Sequence, residues 1–149
     1  MKLQERISED LKTAMKARDA ERVNTLRMVL AQLKDQRIAL GKDLSDEEGV
    51  AVLMNAAKKR KEAIEIYAKS DRSDLLLKEK NELDIISSYL PAQLSAGEIE
   101  GIVVEIIAET GASSLQDLGK VMSQAMARLK GQADGKLVQQ IVRNRLAPQ

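Results

Sequence analysis

Five cations gather about one glycine-flanked turn. Lys120, Arg128, Lys130, Lys136 and Arg143 surround Gly131-Gln132-Ala133-Asp134-Gly135. Ammonium and guanidinium groups seek phosphate oxygens, and a helix N-terminus adds backbone N–H donors and a favourable dipole. The chemistry this pattern suits is the gripping of a nucleic-acid backbone. A solvated turn accounts for the same residues equally well.

Other reactive patterns come apart on inspection. Gly119-Lys120 invites comparison with a phosphate loop, but that loop needs G-x-x-x-x-G-K-[ST]. Here Ser114 stands five before Gly119, and Val121 follows Lys120. Gly119 is instead expected inside a helix with a neighbour pressed against it, because Gly costs about 1 kcal/mol relative to Ala there. Glu79, Glu82 and Asp84, like Glu62 and Glu65, read as solvated helix-surface acids pairing with lysines one turn away. Lys58-Lys59-Arg60-Lys61 would point around most of a helix circumference, so a solvated run is expected rather than one binding face.

The chain has no Cys and no His. Thiolate nucleophiles, disulfides, histidine bases and ordinary zinc sites are thereby excluded. No catalytic residue, metal ligand or cofactor is expected. Of 149 residues only Tyr67 and Tyr89 are aromatic, so binding of single strands by base stacking is not expected either. An RNA partner would be held by backbone and shape.

Net charge is +1, but its distribution is uneven. Residues 12–37 carry seven basic residues against three acidic, residues 95–114 carry four acids and no base, and residues 115–149 carry six basic against two acidic. Such asymmetry can steer an anionic partner.

The elements that must position these residues read as helices throughout. Hydrophobic residues make up 44% of the chain and charged residues 32%, rich in Leu, Ala, Lys and Glu. Leu3, Ile7, Leu11 and Ala14 predict a helix over about 2–17. Val23, Leu26, Leu30 and Leu33 predict a second over about 20–40, closed by Gly41. Ser45 and Glu48 form a capping box that opens a third, about 46–69, lined by Val50, Leu53, Ala57, Ile64 and Tyr67. A fourth, about 73–89, carries Leu76, Leu83, Ile86 and Leu90. Pro91 ends it, since proline pushes the preceding residue out of the helical region. Ser95 and Glu98 open a fifth, about 96–109, which Gly111 caps. Ser114 starts a sixth that runs to about Leu129 and is closed by Gly131. Asp134 caps a seventh, about 135–146, with Pro148 beyond it. The expected fold is all-α, in two helical modules: a four-helix N-terminal part over 1–91 and a three-helix C-terminal part over 92–149. No apolar run is long enough to span a membrane, and the first residues lack the apolar core of a secretory leader. The cytoplasm is the expected compartment.

Several segments, in order, resemble one known family. They are Arg22-Val23-Asn24-Thr25-Leu26-Arg27-Met28-Val29, Arg60-Lys61-Glu62-Ala63, and Glu82 through Ser95 with its Tyr89-Leu90-Pro91-Ala92-Gln93-Leu94. Thr110-Gly111-Ala112-Ser113-Ser114, Asp117-Leu118-Gly119-Lys120-Val121-Met122 and Lys130 through Val138 follow. Together they resemble the YqeY family over essentially the whole chain. That family is similar to the C-terminal helical and tail region of GatB, the B subunit of the tRNA-dependent amidotransferase that converts Glu-tRNA(Gln) or Asp-tRNA(Asn) to the amide. The resemblance implies an all-helical appendage whose tail module meets the outer part of tRNA. It also implies the family-level description of a carbon–nitrogen ligase with glutamine as amido donor. The catalytic domain of GatB has no counterpart here, so no amidation by this chain alone is expected. Lys120, Lys130 and Lys136 match the family pattern, and the resemblance implies them as tRNA contacts.

The leading expectation is an accessory module that binds tRNA, or a tRNA-charging or amidotransferase complex. The alternative is a helical protein–protein adaptor without nucleic acid, suggested by the low net charge and by Met122 and Met126 four residues apart.

Overall fold

The computed structural model describes residues 2–147; Pro148 lies outside them. Among the described residues there are seven α-helices and no strand. They are α1 (Leu3–Lys16), α2 (Ala20–Leu40), α3 (Asp46–Ala68), α4 (Ser73–Ser87), α5 (Ala96–Thr110), α6 (Leu118–Arg128) and α7 (Gly135–Leu146). None is long and apolar enough to cross a membrane. The chain divides into two compact units, Met1–Leu90 and Pro91–Gln149.

Local chemistry explains most of the helix boundaries. Ser45 accepts the backbone N–H of Glu48, and the Glu48 carboxylate accepts that of Ser45, both at 3.1 Å. Those bonds, with Lys42 nearby, hold the Glu48 carboxyl below its usual range. Ser95 and Glu98 repeat the arrangement at the start of α5. Gly41 and Gly111 end α2 and α5 at φ 68° and 70°, in the left-handed region that glycine enters without strain. Arg18 closes α1 in the same region, at φ 56°, where a side chain carries a steric cost. Asp19 then caps α2 by accepting the N–H of Arg22 at 3.2 Å.

The first unit buries Leu3 and Ile7 of α1, Leu26, Val29 and Leu33 of α2, Leu53, Ala56 and Ala57 of α3, Ile86 of α4, and Tyr89. The periodicity of each helix places these residues on its inner face. Helix α1 comes close to α3 at Gly49, where an added Cβ would stand 3.0 Å from Leu3 Cδ2. The second unit has its own core from Ile99, Val103 and Ile106 of α5, Val121 and Ala125 of α6, Leu129, and Val138, Val142 and Leu146 of α7.

Four expectations need correction. The sixth helix does not begin at Ser114. A single 3-10 turn, Leu115–Asp117, precedes α6, because the Asp117 carboxylate accepts the N–H groups of Ser113 and Ser114 at 2.9 and 3.4 Å and turns the chain sharply. Gly119 has no neighbour pressed on it: an added Cβ would find nothing within 4 Å. Arg60 is not solvated but buried, at 8% exposure. Its guanidinium donates to Glu82 at 3.3 Å, to the carbonyl of Ala56 at 3.1 Å and to Met28 Sδ at 2.6 Å. Glu82 is thus the partner of a buried cation rather than a solvated acid.

Candidate nucleic-acid interface

The second unit positions all five predicted cations. Helices α5, α6 and α7 pack against one another, and each turns its apolar face to the shared core. The segment after Pro91 is fastened to the turn between α6 and α7. Gln93 Nε2 donates to the carbonyl of Gly131 at 2.7 Å and to that of Pro91 at 2.8 Å. Gln132 Nε2 donates to the carbonyl of Ala92 at 3.3 Å, and the N–H of Leu94 to the carbonyl of Gln132 at 2.9 Å. Gly131, at φ 71°, supplies the left-handed residue the turn needs.

The five cations do not share one environment. Lys120 lies exposed in the first turn of α6, where its charge helps hold Asp117 low, after the stronger effect of the Ser113 and Ser114 N–H groups. Arg128, at the other end of α6, is drawn to α5: its guanidinium bonds Glu109 and stands 3.7 Å from Glu105. Arg145, outside the predicted set, is likewise paired with Glu100 of α5 at 2.6 Å. Glu105 and Glu109 are therefore counter-charges of Arg128, and Glu100 of Arg145, helix against helix. Lys130 is exposed in the turn.

Lys136 and Arg143 differ from these. At roughly 100° per residue, Lys136, Gln140 and Arg143 fall on one side of α7. Val138, Val142 and Leu146 fall on the other and are buried, whereas Lys136, Gln140 and Arg143 are exposed. No acidic residue occurs in α7, and among the described residues neither Lys136 nor Arg143 has an ion pair. Their Cα atoms are about 10 Å apart along the helix.

Asp134 holds the N-cap position of α7 with extended backbone, but its side chain makes no cap hydrogen bond, contrary to expectation. The outer side of α7 carries the exposed cations Lys136 and Arg143. Gly135 faces the interior, where an added Cβ would meet Met126 Cε at 3.7 Å.

Residue-type reasoning missed Gln93 and Gln132, since an exposed amide carries no pattern of its own. Both sit inside the quoted family segments, the one signal that could have found them.

Residues 4–146 match the family described as Yqey-like protein. The chain belongs to that family. Among its curated relatives is altered inheritance of mitochondria protein 41, mitochondrial, from Lachancea thermotolerans, 37% identical over 69% of this chain and 57% of that protein. The protein of the same name from Pyrenophora tritici-repentis is 27% identical over 86% of this chain and 71% of its own length. The chain thus spans little more than half of the first of these relatives. A third similarity covers less than half of the chain. A glutamyl-tRNA(Gln) amidotransferase subunit of Thermococcus sibiricus is 39% identical over 72 residues, 46% of this chain and 11% of that much longer protein.

The expected cytoplasmic location is contradicted by the altered inheritance of mitochondria relatives, which are named as mitochondrial proteins. Lack of cysteine fits any reducing compartment and does not separate one from another.

Proposed function

We propose that this Yqey-like protein is a non-catalytic accessory module that binds tRNA by its phosphate backbone, through residues 92–149. The observation that carries the reading is the outer side of α7, where Lys136 and Arg143 stand exposed with no carboxylate on their helix. Exposed Lys120 and Lys130 extend the positive surface. Arg128 is committed to Glu105 and Glu109 and acts mainly within the fold. The similarity to one chain of a glutamyl-tRNA(Gln) amidotransferase supplies the ligand class. With the Gln93 fastening in place, residues 91–94 brace the turn that carries Lys130.

The test is a tRNA gel shift at low salt with the intact protein and with Lys120, Lys130 and Lys136 changed together to Ala. Binding by the first and loss by the second support the reading. Equal binding by both would remove these residues from the interface.

A further inference from the structure

The first unit carries a positive surface that the proposed function does not use. Along α2, Ala20, Asn24, Arg27, Ala31, Lys34 and Ile38 recur at alternating four- and three-residue steps and are all exposed. They lie opposite the buried Thr25, Leu26, Val29 and Leu33. The row runs roughly 27 Å along the helix. It contains two cations and no carboxylate; exposed Asp19 and Glu21 flank its head, and Asp35 stands beside Lys34.

Of the other cations in this unit, Lys12 is paired with Glu9, Arg37 with Asp43 and Lys42 with Glu48. Among the described residues Arg27 and Lys34 have no such partner. Ala31 between them leaves room for a strand to approach the helix backbone. At the head of the row, Arg18 keeps a cation at φ 56°, where glycine would be relieved of strain. Ile38 is the one large apolar residue in the row. A protein interface needs a desolvated apolar centre, which this face lacks, whereas a polyanion needs spaced exposed cations.

We infer that the outward face of α2 is a second phosphate-contacting surface for structured RNA, with Arg27 and Lys34 as its principal contacts and Arg18 at its edge. The inference takes its ligand class from the proposed function, but its residues are separate.

The experiment measures tRNA affinity by fluorescence anisotropy across a salt series. It compares the wild type with Arg27→Ala/Lys34→Ala and with Lys136→Ala/Arg143→Ala, each checked for unchanged circular dichroism. Loss of two phosphate contacts lowers the slope of log affinity against log salt by about 1.4 to 1.8. The charge-preserving pair Arg27→Lys/Lys34→Arg retains the wild-type slope. Unaltered affinity and slope in Arg27→Ala/Lys34→Ala overturn the inference, even where the α7 pair weakens binding and the proposed function stands. A slope lowered only by the α2 pair supports the inference and moves the site away from α7. An α2 pair that leaves tRNA alone but loses a protein partner overturns it. Absence of wild-type binding at low salt overturns both.

Discussion

The side-chain amide of Gln93 donates to the carbonyl of Gly131 at 2.7 Å, across 38 residues of chain. Gln132, next to Gly131, returns the contact by donating to the carbonyl of Ala92 at 3.3 Å. The two glutamines thus lace the start of the second unit to its α6–α7 turn. Gln93→Ala should lower the stability of that unit by about 1 kcal/mol, the net value of such bonds. Because both glutamines serve one strap, Gln93→Ala/Gln132→Ala should cost less than the two single changes together. Urea unfolding of the three variants checks this, and strict additivity would show the bonds to be independent.

Arg60 and Glu82 form an ion pair at 10% and 16% side-chain exposure. Removing one partner leaves the other charge stranded. Glu82→Ala should cost about 3 kcal/mol. Replacing both, as Arg60→Leu/Glu82→Leu, should cost less than Glu82→Ala alone, since no unpaired charge remains. Thermal unfolding distinguishes the two outcomes.

Tyr89 is 6% exposed and donates to the Asp10 carboxylate at 2.5 Å, with the Arg6 guanidinium 4.8 Å above its ring. Burial first, then the hydrogen bond and charge of Asp10, raise the phenol from 10.0 to about 12, with Arg22 opposing. A folded pKa above the unfolded one favours the native state fully below the unfolded pKa and loses that contribution as pH rises through the folded pKa. Stability should therefore fall between pH 10 and about 12, more in the wild type than in Tyr89→Phe. Tyrosinate absorbance of a Tyr67→Phe variant isolates Tyr89; titration near 10 would contradict the assignment.

The helices were legible because period and capping act locally. Ser45, Glu48, Ser95, Glu98, Gly41 and Gly111 sit where hydrogen bonding and backbone φ require them. Two local readings failed because a nearby alternative won. Asp117 reaches back to Ser113 and Ser114, so a 3-10 turn forms where a continuous helix was expected. Arg60 sits within a basic run, yet its position on α3 faces the core, where Glu82, 22 residues away, answers its charge. How the predicted cations pair was not legible. Nothing within residues 115–149 reveals that Arg128 answers Glu105 and Glu109, because that contact depends on how α5 packs beside α6.

That pairing sets an order among the cations. Arg128→Ala should weaken tRNA binding less than Lys136→Ala, because Arg128 already satisfies two carboxylates. It should also lower stability, by about 0.5 kcal/mol, the scale of an exposed pair. Side-by-side affinity and melting measurements on the two variants check both halves.

The most direct measurement is the salt dependence of tRNA affinity for the wild type and for Lys136→Ala/Arg143→Ala. A phosphate grip on the outer side of α7 predicts wild-type binding that weakens steeply as salt rises. The paired variant should show a log–log slope smaller by about 1.4 to 1.8. Wild-type protein that ignores tRNA at low salt, or a variant whose slope matches the wild type, would contradict the account.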